Sequence, residues 1–437
     1  MLSFFLFIFG LISIHVEICS TSFLFASSST IPQTTKYKFG SFKGLSPSKI
    51  SSTKKDRVNL GTLDVSAVGV GTISWFSGKD RSGAGNSVSD LNEVMTEAAR
   101  SGCNLFDTAE RYGSGKSEAL GQGWGTSESF LSSYISNDKK GDLRIATKFT
   151  PTPWRRTAQD VVTACEDSCA RLGVESIDLY QVHMPDIVQP FRIFGIVENK
   201  DAIYWDGLAE CYKRGLVKNV GVSNYGPSLL LKASEHLSRA GVPLVSNQIN
   251  YSLLHRSGGT GAQETVDIGK ALGITTLAYF PLAMGLLSGK HSANPTHPSG
   301  KITNSATVNV ATDDLSAVGR ETGKSALELR ELRDGRYAAA VMPLLAVMQE
   351  IARRRRKSIP QIALNWIMCK GAVPIAGVRT AAQLRDNLGA RGWRLAAEEV
   401  ARLEEAADRS GVVFDGAGFK RSSAKFVGYG MEKWSLD

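Results

Sequence analysis

Eight times between residues 67 and 376 the chain passes from a short apolar run to a stretch with helical spacing. The runs are 67–72, 104–106, 143–147, 177–182, 217–222, 244–246, 274–278 and 372–376. Between most of them lie amphipathic segments, among them 88–100, 158–172, 205–214, 229–237, 266–272 and 338–356. Strands that alternate with helices pair in parallel, and eight of them close most naturally into a (β/α)8 TIM barrel. The expected fold class is therefore α/β, a barrel preceded by a β-hairpin at 58–66 and interrupted after strand 7 by a long loop at about 288–337. That loop starts with polar, proline-rich sequence and is read equally well as a lid or as an insertion.

In such a barrel the reactive side chains gather at the carboxyl ends of the strands. Asp107, Lys148, His183, Asn224, Gln248, Tyr279 and Arg379 all lie at or just past such ends. The stretch 103–120, CNLFDTAERYGSGKSEAL, reads as a strand ending at Asp107, a loop carrying Tyr112 into Gly113-Ser114-Gly115, and a helix starting at Ser117. A free tyrosine has a pKa near 10, and a cation beside it makes the phenol a better proton donor. Lys148 is the candidate cation, Asp107 its counter-charge, and His183 a hydrogen-bond donor for a carbonyl oxygen. Taken singly, each has an ordinary alternative as a cap, an interface aromatic, a surface cation or a core histidine. Brought together they would move a proton on and off a carbonyl oxygen. None stores a hydride, so a cofactor must, and nicotinamide is the usual one.

The rest of the mouth offers groups for that cofactor. Gly71 and Thr72 end a first strand whose glycines admit a ligand close to the backbone. Tyr279 presents a flat ring for stacking, and Asn224 and Gln248 present amides. Gly377 and Arg379 open a helix that carries Gln383 and Asn387 one and two turns on. A helix N-terminus with an arginine is an anion site, suited to the 2′-phosphate of NADP rather than to the hydroxyl of NAD.

Composition excludes other classes. Of the net charge of +9, the first sixty residues hold seven Lys/Arg against two acidic residues, so the remainder is only mildly basic and carries no nucleic-acid signature. The six cysteines lack CxxC spacing, and Cys165 and Cys169 read as core thiols, with no metal site expected. Residues 1–20 look like a signal peptide; 21–55, with six lysines and no acidic residue, resemble a transit peptide whose aromatic start is Phe23. The two in tandem suggest delivery to a plastid through the secretory route, with a secreted protein and a retained anchor as alternatives and no membrane association expected of the mature protein.

LFDTAERYGSGKSEALG, IATKF, IDLYQVH, VKNVGVSNY, NQINYSLL, YFPLAMGLLSGK and IPQIALNW followed by IAGVRTAAQLRDNLGA resemble, in this order, the aldo-keto reductase family, in the branch with plant plastid members and potassium-channel β subunits. The likeness covers about 58–409 and leaves the tail 410–437 without a counterpart. It implies NADPH held across the barrel mouth and a catalytic set of Asp107, Tyr112, Lys148 and His183. It also implies that Ser223, Asn224 and Gln248 hold the carboxamide and that Tyr279 stacks. Pro281, Leu282 and Gly285 would line the pyrophosphate; Arg379, Gln383, Asp386 and Asn387 would take the adenosine phosphate end. The expected function is NADPH-dependent reduction of an aldehyde or ketone by hydride transfer, with Tyr112 as proton donor and a small carbonyl compound as partner. The alternative is a non-catalytic, NADPH-binding regulatory subunit. Trp75 is read as a pocket wall or as a core tryptophan.

Overall fold

A computed structural model describes residues 56–76, 87–113, 124–138, 141–186, 200–257, 260–289, 336–414 and 419–421. The leader segments, the helix start at Ser117, most of the loop at 288–337 and the end of the tail lie outside these residues.

The alternation dictates the architecture. A hairpin of β1 (Arg57–Leu60) and β2 (Leu63–Ser66) is followed by the strands of the barrel. These are β3 (Gly69–Gly71), β4 (Leu105–Asp107), β5 (Arg144–Phe149), β6 (Leu179–Val182), β7 (Val220–Ser223), β8 (Leu244–Asn250), β9 (Thr275–Tyr279) and β10 (Val373–Gly377). All pair in parallel and in chain order, and β10 closes on β3, so the expected TIM barrel is the fold. Around it stand α1 (Val88–Ser101), α2 (Thr126–Ile135), α3 (Ala158–Leu172), α4 (Asp201–Lys213), α5 (Pro227–Arg239), α6 (Ala262–Leu272), α7 (Arg336–Arg355), α8 (Ile359–Cys369), α9 (Ala381–Leu388) and α10 (Ala397–Ser410). A short antiparallel pair, β11 (Val412–Phe414) and β12 (Phe419–Arg421), follows.

Local chemistry marks several helix ends. Ser87 with Asp90, Thr157 with Asp160 and Ser358 with Gln361 form capping boxes, and Gly102 and Gly173 stop α1 and α3 in the left-handed conformation. Sequence spacing did not point to α8, because its residues are buried nearly all round, from Ile359 and Ile362 to Ile367 and Met368, and leave no polar face to set a period.

The strand period of two sorts side chains between the barrel interior and the helices. Leu105, Ala146, Leu179, Leu277 and Ile375 form an apolar layer inside the barrel, closed below by Leu60, Leu63 and Val65 of the hairpin. Phe106, Ile145, Phe149, Tyr180, Val182 and Val222 point outward and pack under the helices. Two residues beyond that inner apolar layer stand Asp107, Lys148, Gln181, Tyr279 and Gly377. The inner face thus turns polar at the carboxyl ends. Trp75 belongs to the core: it is fully buried, donates from its indole to the Val378 carbonyl at 2.8 Å, and packs edge-on to Phe106 and Phe130.

Candidate active site

Asp107 ends β4 and Lys148 is the penultimate residue of β5; both point inward because their strands are in register, with Asp107 opposite Ala146. The Lys148 ammonium is wholly buried and directs its protons to Asp107 Oδ2 at 2.7 Å, the Thr108 carbonyl at 2.8 Å and the Tyr112 hydroxyl at 3.3 Å. Burial pushes the Asp107 carboxyl up and the Lys148 amine down from their ordinary values, each opposed by the other's charge. Gln248, inside β8, donates to the other Asp107 oxygen at 2.6 Å. One amide N–H is thus directed at the carboxylate, on the same side chain that the family resemblance has holding the cofactor.

Tyr112 rides on the loop after β4, in a turn where its N–H reaches the Ala109 carbonyl at 3.0 Å. Its ring meets that of His183, just past β6, edge to face at 5.8 Å. Burial, and then the charges of Lys148 and Arg111, hold the His183 imidazole well below its usual pKa, so the ring is neutral near pH 7. Thr150 Oγ1 stands 3.4 Å from His183 Nδ1. An accepting Nδ1 leaves the ring proton on Nε2.

The chain reading did not single out Thr150, Glu110 or Arg155. Glu110 sits between Asp107 and Tyr112, takes the Thr150 N–H at 2.6 Å and is gripped by both ends of the Arg155 guanidinium. A charged residue two positions before Tyr112 was the available signal, but its partners lie 40 and 45 positions away.

On the other half of the mouth Ser223 ends β7 and Asn224 follows it with a left-handed φ of 64°. The Asn224 amide donates to the His183 carbonyl at 2.9 Å and accepts from the Tyr279 hydroxyl at 2.7 Å, while Ser223 donates to the Gln248 carbonyl at 2.8 Å. Pro281, Leu282 and Gly285 follow β9, and a Cβ built on Gly285 or on Gly377 would meet nothing within 4 Å. At the start of α9 the Arg379 N–H is taken by Gln383 Oε1 at 2.8 Å. Asn387 is only 5% exposed. Asp386, assigned by resemblance to the adenosine end, accepts on Oδ1 from Ser358 at 2.8 Å and Gln361 at 2.9 Å, which pins α9 to α8. Thr72 is fully enclosed, and its N–H and hydroxyl both reach the Asp107 carbonyl at 3.0 Å, so next to Gly71 it fastens β3 to β4.

The Aldo/keto reductase family model matches residues 67–408. The chain is 36% identical over 360 residues to the chloroplastic pyridoxal reductase of Arabidopsis thaliana, covering 81% of this chain and 86% of that protein. It is 26% identical to the D-galacturonate reductase of Fragaria ananassa, over 74% and 82% of the two chains. Among solved structures, a thermostable aldo-keto reductase with the inhibitor epalrestat superposes with a TM-score of 0.53 at 22% identity, covering 80% of this chain and 99% of that one. The Bombyx mori aldo-keto reductase in complex with NADP gives 0.54 at 20% identity, over 81% and 93%. With its family model spanning the barrel, the chain belongs to the aldo/keto reductase family.

Proposed function

We propose that the protein is an NADPH-dependent carbonyl reductase in which Tyr112 delivers the proton. The observation that carries this is the buried ammonium of Lys148, bound at once to the Asp107 carboxylate and to the phenol oxygen of Tyr112. NADPH, when bound, would supply the hydride for the carbonyl carbon. Tyr112 gives its proton to the carbonyl oxygen, and the Lys148 charge 3.3 Å away stabilises the phenolate left behind. Asp107, held on its other oxygen by Gln248, keeps the ammonium charged and aimed. His183, kept neutral by burial, would orient the carbonyl by a ring N–H.

The residues fit the cofactor. Gly285 and Gly377 leave open space where side chains would intrude, and the mostly buried Asn387 makes no side-chain hydrogen bond among the described residues, which leaves its amide for an adenine edge. Asn224, held at a left-handed φ by Tyr279, His183 and Ser223, stands with Ser223 at the rim where the carboxamide would lie. Pro281 and Leu282 would line the pyrophosphate, Tyr279 would stack on the nicotinamide, and Arg379 with Gln383 would take the 2′-phosphate.

The substrate is a small aldehyde, and pyridoxal is the first candidate because the Arabidopsis relative is a pyridoxal reductase. That relative is also chloroplastic, which together with the composition of residues 21–55 supports a plastid destination reached through the tandem leader. Incubation of the purified protein with NADPH and pyridoxal or 4-nitrobenzaldehyde, followed by loss of NADPH absorbance, tests the reading. Turnover is expected, and Tyr112→Phe lowers it at least about 100-fold while NADPH still binds. Tight NADPH binding without turnover of any aldehyde would replace this reading with the regulatory subunit.

A further inference from the structure

The loop from Asp107 to Tyr112 carries a second carboxylate, Glu110, which is 1% exposed. Its Oε1 takes the Thr150 backbone N–H at 2.6 Å and an Arg155 N–H at 2.5 Å, and its Oε2 takes a second Arg155 N–H at 3.1 Å. Arg155 is fixed in turn. It donates to the Thr150 carbonyl at 3.0 Å, lies 4.9 Å over the Phe149 ring and 5.2 Å over Trp124, and has its own carbonyl held by the Tyr204 hydroxyl at 2.9 Å. Thr150, so held, places its hydroxyl 3.4 Å from His183 Nδ1.

Stability alone is a poor account of this arrangement. Desolvation offsets most of the attraction in a buried ion pair, and apolar side chains of similar volume often serve as well. Its location is informative: one carboxylate ties the loop that bears Tyr112 to the residue that sets the His183 ring, across the end of the strand that bears Lys148. We propose that Glu110, clamped by Arg155, is a positioning residue that sets the distance between the Tyr112 hydroxyl and the His183 imidazole at the carbonyl oxygen. This rests on the reductase reading above.

Glu110→Gln keeps the volume and removes the charge, and a misplacement of about 1 Å at a reacting centre costs on the order of 100-fold in rate. The expected result, normalised to NADPH-binding sites, is a kcat lower by about that factor and a raised KM for the aldehyde. NADPH affinity stays unchanged, and the isotope effect from NADPH deuterated at the transferred position grows. The double variant Glu110→Gln/Arg155→Gln loses no more than the single, because both act through one pair. Glu399→Gln, which breaks the Arg355 pair between α7 and α10, serves as comparator: it lowers the Tm but leaves kcat and the isotope effect alone.

A Glu110→Gln enzyme with unaltered kcat and isotope effect overturns the proposal, as does one that loses activity only in proportion to lost NADPH sites. Should that variant not fold, Thr150→Val keeps the Glu110–Arg155 pair and removes only the hydroxyl at His183; unchanged aldehyde KM and kcat there are equally decisive against it. If the wild-type protein reduces no aldehyde, the reductase reading fails instead, which is a distinguishable result.

Discussion

A lysine with no exposure to water stays charged only when its protons all find acceptors, and Lys148 has three: a carboxylate, a carbonyl and a phenol. The first two do not change during carbonyl reduction. The third, to Tyr112, would strengthen as the phenol loses its proton in the proposed reduction, which would make the charge worth more in the transition state than before it. His183 carries a pH consequence. Its folded pKa lies below the unfolded value near 6.5, so protons bind the unfolded chain more readily as the solution is acidified. Its contribution to stability is complete above about pH 6.5 and is lost as pH falls from there toward the folded pKa. The urea midpoint should therefore drop between pH 7 and pH 5, and His183→Gln, which cannot titrate, should show a shallower drop. Asp107, Tyr112, Lys148 and His183 were legible in the chain because each sits at or near a recognisable strand end. Glu110 was not, since a carboxylate in a loop reads as solvated until its guanidinium partner arrives from another loop.

At the scale of elements, the β1–β2 hairpin stops the amino-terminal end of the barrel, opposite the site. Its turn is fixed by Asn219, which accepts from the Thr62 N–H at 3.0 Å and donates to the Thr62 hydroxyl at 2.9 Å and the Asp178 carbonyl at 3.1 Å. Gly61 is required beside it: φ is 58°, and a Cβ would lie 2.2 Å from Asn219 Oδ1. Asn219→Ala removes the partner of the buried Asp178 carbonyl and of the Thr62 N–H and should cost about 1–3 kcal/mol in urea unfolding while kcat stays at the wild-type value. A fall in kcat without a fall in stability would contradict the division between a stabilising bottom and a reactive top. The hairpin and most barrel helices could be read from periodicity. α2 and α8 could not, one because the residues leading into it carry glycines and weak patterning, the other because burial on nearly every side erases its period.

At the scale of the whole molecule, closure of β10 on β3 joins the ends of the barrel, and Trp75 bonds to Val378 across 303 positions. That closure carries Arg379 to the same rim as Tyr112, so a ligand spanning both would tighten the whole barrel. NADPH at about 100 times its Kd should stabilise the fold by roughly 2.7 kcal/mol, a rise of about 5 °C in Tm. NADH should give less, and Arg379→Ala should remove most of the difference; equal shifts with both nucleotides in the wild type would refute the 2′-phosphate assignment. The sequence by itself determined the strand–helix alternation, the barrel and which reactive residues stand at strand ends, because these follow from local period and chain order. Only the tertiary structure decided that Gln248 serves Asp107, that Asp386 serves α8, that Trp75 is core, and that Glu110 and Thr150 stand behind Tyr112 and His183. Those are contacts between strands and loops distant along the chain, and a side chain's partner there depends on register and burial, which no local pattern encodes.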